Sequence, residues 1–78
     1  MVGELHPWRQ SGDRWHRTCG DGDAWVEVYL AGAVAGDVDL YLWRGGSRSG
    51  VIWRWSYVPR RLTQAKRAAT LALRRMGR

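Results

Sequence analysis

The chain has no phenylalanine, no asparagine, one lysine, one cysteine and, after Asp39, no acid. Each absence excludes something. A single cysteine, Cys19, rules out an internal disulfide and favours a reducing, cytoplasmic setting. No run approaches the ~20 apolar residues that a membrane span requires, so no membrane role is expected. The first residues, Met1 to Pro7, lack the basic start and apolar centre of a signal peptide. The missing acids leave the charge divided along the chain. Residues 1–43 hold seven acids and three cations, a balance of −4, whereas residues 44–78 hold ten cations alone, within a net charge of +6. A field of one sign attracts partners of the other sign but does not determine a fold.

Six Trp and three Tyr stand where Phe is absent. In a 78-residue chain the core is marginal, and side chains that bury ~150–250 Å² each raise the buried area per residue. Twelve of the thirteen cations are Arg. Together with the missing Asn and the abundance of Ala and Gly, this fits GC-rich coding, so an Arg is not by itself a sign of bidentate chemistry.

Periodicity organises one small domain. Residues 1–12 have no regular period and read as a loose arm, with Trp8 a candidate for the core. Residues 13–58 read as an antiparallel sheet. Arg14 to Cys19 is a short strand, followed by a Gly-Asp hairpin turn. Ala24 to Ala31 alternates, with Ala24, Val26, Val28 and Leu30 opposite Trp25, Glu27 and Tyr29. Gly32 to Gly36 reads as a break. Asp37 to Arg44 alternates again, with Val38, Leu40 and Leu42 opposite Tyr41 and Trp43. Gly45 to Gly50 is a turn, and Val51 to Val58 a last strand whose Trp53 and Trp55 share a face. After Pro59, residues 62–76 form a helix with Thr63 as its expected N-cap. Leu62, Ala65, Ala69, Ala72, Leu73 and Met76 make its apolar stripe. The expected fold is α+β: a three- to four-stranded antiparallel meander with the C-terminal helix packed on its Val26/Leu40/Trp53 face.

Two surfaces follow from that arrangement. Arg44, Arg48, Arg54, Arg60, Arg61, Lys66, Arg67 and Arg74 are candidate nucleic-acid contacts, since guanidinium groups pair with phosphates and release counterions. Trp25, Tyr29, Tyr41 and Trp43, on the sheet face away from the helix, and Leu71, on the polar side of the helix, are candidate protein-interface anchors. That outer face also carries Glu27, Asp37 and Asp39, which repel phosphates and so favour a protein partner or self-association. An alternative is a second small core, with the N-terminal arm folded over the outer face through Trp8 and Trp15. His6, His16 and Cys19 do not complete a standard metal set. No nucleophile motif or paired catalytic carboxylates stand out, so neither an enzyme, a cofactor nor a small-molecule substrate is expected.

The segment Val51-Ile-Trp-Arg-Trp-Ser-Tyr-Val58 followed by Thr63-Gln-Ala-Lys-Arg-Ala-Ala-Thr-Leu-Ala-Leu73 resembles small sheet-plus-helix domains of phage and mobile-element proteins, of the AP2-like and integrase arm-binding types. The likeness extends over about residues 24–76 and rests on an aromatic strand followed by an Ala-rich helix. It implies DNA binding through the open sheet face, which here includes Arg54. Small phage proteins also include inhibitors of host proteins, which is the second expectation. The reading from sequence is a DNA-binding module acting through a basic helix and loop, with a protein-binding module as the alternative.

Overall fold

A computed structural model describes residues 4–20, 22, 24–35, 38–47 and 52–76, with backbone alone for residues 32–35 and 53. The strands are β1 (Arg9–Ser11), β2 (Arg14–Cys19), β3 (Ala24–Ala35), β4 (Val38–Ser47) and β5 (Ile52–Trp55), followed by helix α1 (Leu62–Met76). They form one five-stranded sheet in chain order, β1-β2-β3-β4-β5, and each neighbouring pair is antiparallel. The α+β meander with one C-terminal helix is therefore present, with an additional strand from the N-terminal segment.

That strand corrects the loose arm. Leu5 bridges Cys19, and Arg9 to Ser11 pair with Arg14 to His16. The backbone N–H of His6 donates to Thr18 O at 3.1 Å, and Gly20 N donates to Glu4 O at 2.8 Å. The chain reverses at Gly12, whose φ of 60° is a left-handed conformation that glycine adopts without strain. Hydrogen bonding along the edge of β2, rather than a hydrophobic period, is what orders this arm, and backbone bonding leaves little mark on composition.

The core lies between α1 and one face of the sheet. Val26, Val28, Ala65, Ala69 and Leu73 are fully buried, with Cys19, Ala24 and Ala72 close to it. Burying the three largest, Val26, Val28 and Leu73, contributes about 1.5–3 kcal/mol each. The inner positions of β3 and the apolar stripe of α1 match the sequence pattern. The helix begins one residue before the expected cap: Ala65 N donates to Arg61 O at 2.9 Å, which makes Arg61, not Thr63, the capping position.

Strand β4 is inverted relative to expectation. Val28 is opposite Trp43 and Leu30 is opposite Tyr41, and paired residues share a face. Tyr41 and Trp43 therefore lie on the helix side, where both pack against the core cluster, and Leu40 and Leu42 lie on the outer side. Alternation within one strand defines two sets of residues but not which set turns inward. An alanine-rich helix leaves volume that wide rings fill better than leucines, and Trp8, Trp15, Tyr41 and Trp43 fill it.

Strand β5 changes parity at a bulge. Gly45 is opposite Arg54 while Gly46 is opposite Ile52, so Trp53 is an extra residue on β5. Arg54 consequently falls on the helix side and Trp55, opposite Arg44, on the outer side, the reverse of the expected arrangement. The expected break at Gly32 is also a continuous strand. β3 runs on to Ala35 with a register shift between Leu30 and Val34. Gly45 and Gly46 belong to β4 rather than to a turn, and residues 48–51 lie outside the described set.

Candidate functional site

Register assembles the uncovered side of the sheet from residues far apart in sequence. Arg9 pairs with His16, His16 with Glu27, Glu27 with Arg44, and Arg44 with Trp55. One residue from each strand thus forms a single row across all five. With strands ~4.8 Å apart, the row is about 19 Å wide. On one side of it stand Ser11, Arg14, Tyr29 and Leu42; on the other stand Thr18, Trp25, Gly46 and Ile52.

Glu27 is the carboxylate at the centre of this face. Its Oε1 receives Arg44 Nη2 at 2.9 Å and Arg44 Nε at 3.2 Å, and Arg14 Nη1 lies 3.5 Å away. Two guanidinium groups around one carboxylate leave local positive charge. The Arg14 side chain is 61% exposed and that of Arg44 36%, against 15% for Glu27, so solvent meets the cations before the acid. Among the described residues, the other acids, Glu4, Asp13 and Asp39, lie outside the central row; Asp39 is opposite Val34 near the end of the long hairpin. Asp21, Asp23 and Asp37 lie outside the described residues. The acidic outer face expected from sequence is therefore corrected here: among its described strand residues, Arg9, Arg14 and Arg44 share the face with one glutamate, which Arg14 and Arg44 pair.

The aromatic rings of this face pack against its polar side chains. Arg44 Cζ is 5.4 Å from the Tyr29 ring centroid. The His16 and Trp25 rings stack at 5.9 Å with 18° between their planes. The Trp25 indole N–H donates to Ser47 O at 2.7 Å, fixing the ring across to β4. Stacking on Tyr29 and the Trp25–His16 pair therefore restricts the motion of Arg44 and the imidazole. Beside them, a depression of about 400 Å³ is lined by His6, Arg9, His16, Thr18, Gly20 and Gly22.

The helix side has a separate cationic cluster. Lys66 Nζ lies 3.3 Å from the Trp15 ring centroid and 5.7 Å from that of Trp8. Arg17 Cζ lies 5.5 Å from Trp8. Arg17 also donates through Nε to His6 O at 2.7 Å and through Nη1 to Thr70 Oγ1 at 3.0 Å, joining the N-terminal segment, β2 and α1. Burial lowers the pKa of Lys66 from the ordinary lysine value.

The sequence-derived candidates are thus divided. Arg44 is at the centre of the open face. Lys66, Arg67, Leu71 and Arg74 line a groove on the helix side. Arg60 and Arg61 are exposed before the helix, and the Arg60 backbone bridges Tyr41. Arg54 is exposed at the β5 end, and Arg48 lies outside the described residues. Trp25 and Tyr29 are on the open face; Tyr41 and Trp43 are not. Arg9, Arg14, His16 and Trp55 belong to the open face and were missed. The period-two run Arg14, His16, Thr18 opposite Trp15, Arg17, Cys19 was the available signal for two of them. That parity also separates His16 from the buried Cys19, and among the described residues no group of three His, Cys, Asp or Glu could hold a metal. The alternative in which Trp8 and Trp15 cover the outer face does not hold, because both pack on the helix side.

No protein-family model, no curated protein and no solved structure matches the chain. Among the described residues, no helix is long and apolar enough to cross a membrane.

Proposed function

We propose that this chain is a small DNA-binding module, acting by binding rather than catalysis in a reducing, cytoplasmic setting, whose helix-free sheet face lies against a duplex. The observation that carries the reading is the cross-sheet register. It gathers Arg9, Arg14 and Arg44 on one uncovered face whose central carboxylate is already paired twice. Arg14 and Arg44, held by Glu27, meet phosphates at little further cost in side-chain entropy. The rings of Tyr29 and Trp25 are covered by Arg44 and His16, which favours a duplex over single strands that need bare rings for stacking. Strands β2 to β4 span about 10 Å between outer axes, comparable with the ~12 Å major groove of B-DNA and unlike the narrow one of A-form RNA. A sheet-face mode is also what the resemblance to AP2-like and integrase arm-binding domains implies.

The test is the salt dependence of binding to short duplexes. Each phosphate neutralised adds about −0.9 to the slope of log K against log salt. The double variant Arg9→Ala/Arg14→Ala is expected to lower that slope by about 1–2 while leaving the fold intact. An unchanged slope removes the sheet face from the reading, and undetectable binding of duplex at low salt removes the reading itself.

A second reading is a protein-binding module, such as a phage-encoded inhibitor of a host protein. It draws on one observation: Ile52, Trp55, Tyr57 and Val58 are exposed together along β5 and the segment after it, with Tyr57 80% exposed. Trp55 and Tyr57 meet edge to face at 6.0 Å. Replacing Trp55 and Tyr57 by Ala disrupts a partner complex on this reading and leaves the salt slope for DNA unchanged.

A further inference from the structure

The helix side of the sheet carries a second feature suited to an anion. Trp8, Arg17, Lys66, Arg67, Thr70 and Arg74, with Leu71 at the rim, line a groove of about 400 Å³ between α1 and the N-terminal segment. Four of these side chains are cations and none is an acid. Two of them are fixed. Arg17 spends two of the five guanidinium N–H donors on His6 O and Thr70 Oγ1, leaving three for a ligand. Lys66 is seated on Trp15 and beside Trp8, where burial disfavours its charge. No ion pair reaches either residue among the described residues. The other two, Arg67 and Arg74, are exposed. They stand seven residues apart on α1, so about 10.5 Å along one side of the helix separates them.

We propose that this groove is a second phosphodiester-binding site, so that one copy of the chain holds two DNA segments, one on each side of its sheet. The inference rests on the sheet-face reading above, which supplies the first segment. The geometry favours it in three ways. The groove is on the α1 side, whereas Arg9, Arg14 and Arg44 are on the opposite side, so the two sites do not compete for one duplex surface. Its part-buried cations, Arg17 and Lys66, are fixed, and Arg67 and Arg74 are exposed, which suits a phosphate entering from solvent. An anion in the groove also supplies the counter-charge that the partly desolvated Lys66 lacks. The domain is compact, with extents of 42 × 21 × 19 Å, so two duplexes held on opposite sides come within energy-transfer range.

The experiment mixes two duplexes of unrelated sequence, one carrying a donor dye and one an acceptor, with the full chain, and follows energy transfer between them beside the anisotropy of each alone. The parent chain is expected to give transfer at low salt, and a light-scattering mass in the absence of DNA identifies transfer that comes instead from a dimer. Arg67→Glu/Arg74→Glu, two exposed positions, is expected to abolish transfer while single-duplex affinity falls by less than about tenfold, since exposed charge contacts are individually weak. Transfer that survives in this variant overturns the groove, as does a parent chain that binds one duplex without bridging two. Failure of the sheet-face reading has a different signature. Arg9→Ala/Arg14→Ala would then bind a duplex as tightly as the parent, and Arg67→Glu/Arg74→Glu would lose all binding. That pair of results supports the groove as a phosphate site and removes the bridging.

Discussion

The two faces of the sheet are made from the same strands and obey opposite rules. On the covered face, Val26 and Val28 are fully buried beneath Ala65, Ala69 and Leu73, and the neighbouring rings pack against that cluster. On the open face, one residue along each strand, Glu27 gathers Arg14 and Arg44, and rings pack against polar side chains instead of filling volume. Arg17 shows how strict the division is. It lies on the covered side, where two of its N–H groups go to the His6 carbonyl and the Thr70 hydroxyl and its guanidinium stands 5.5 Å from the Trp8 ring centroid. Arg17 there acts as a tether, while Arg14, on the opposite face of the same strand, meets solvent. A change on the covered face should therefore alter stability, and a change on the open face should alter binding.

Leu73→Ala applies the largest strain to this contrast. It removes the largest fully buried side chain among the described residues and is expected to cost about 2–5 kcal/mol of stability by urea denaturation. DNA affinity measured well below the midpoint should stay near that of the parent. Gly45→Ala comes next. A β-carbon there would lie 2.7 Å from Met76 Cε, 2.9 Å from Trp25 O and 2.9 Å from Val26 Cγ1. Met76 can shift, but the Trp25 carbonyl cannot, so a loss of about 1–3 kcal/mol is expected. A thermal midpoint equal to that of the parent would mean that α1 and β4 do not meet so closely at Gly45.

Glu27→Gln sharpens the other half of the comparison. It frees two arginines from a carboxylate on the open face. Duplex binding should tighten by up to about fivefold, matching the ~0.2–1 kcal/mol of an exposed ion pair, with a stability change of similar size. Weaker binding would show that the ion pairs are needed to hold the arginines in place. The smallest effect is expected from Lys66→Met, which keeps the stem over Trp8 and Trp15 and removes the charge. Because burial lowers the folded-state pKa of Lys66, the unfolded chain binds more protons in the interval between that lowered value and the ordinary ~10.4. Stability of the parent therefore gains a contribution as pH rises through that interval. The variant should lack this slope, and its midpoint near neutrality should move by no more than the ~0.5–2 kcal/mol of a cation–π contact.

Much of the covered face is legible in the residue pattern. The 3.6-residue stripe from Leu62 to Met76 and the alternation of Ala24, Val26 and Val28 each point to a single inward side, and those residues are the ones packed. The open face is only half legible. Trp25, Glu27 and Tyr29 follow from the parity of β3, but their neighbours do not. Which residues of β4 join them depends on the β3–β4 register. Which residues of β5 join them depends on a bulge at Trp53. A one-residue slip exchanges every side chain between faces, and no local pattern records it. Arg9 is hidden for a different reason: its strand is three residues long and fully exposed, and is held by backbone pairing to β2.

The sequence by itself determined an α+β chain with a sheet followed by one amphipathic helix, and an excess of arginine, because those properties reside in composition and short-range period. Tertiary structure alone decided where the charge lies. The chain separates acids from cations along its length, yet the folded sheet brings Glu27 between Arg14 and Arg44 and leaves cations exposed on both of its sides. Cross-strand pairing joins residues that are distant in sequence, so charge segregated along the chain is mixed in space.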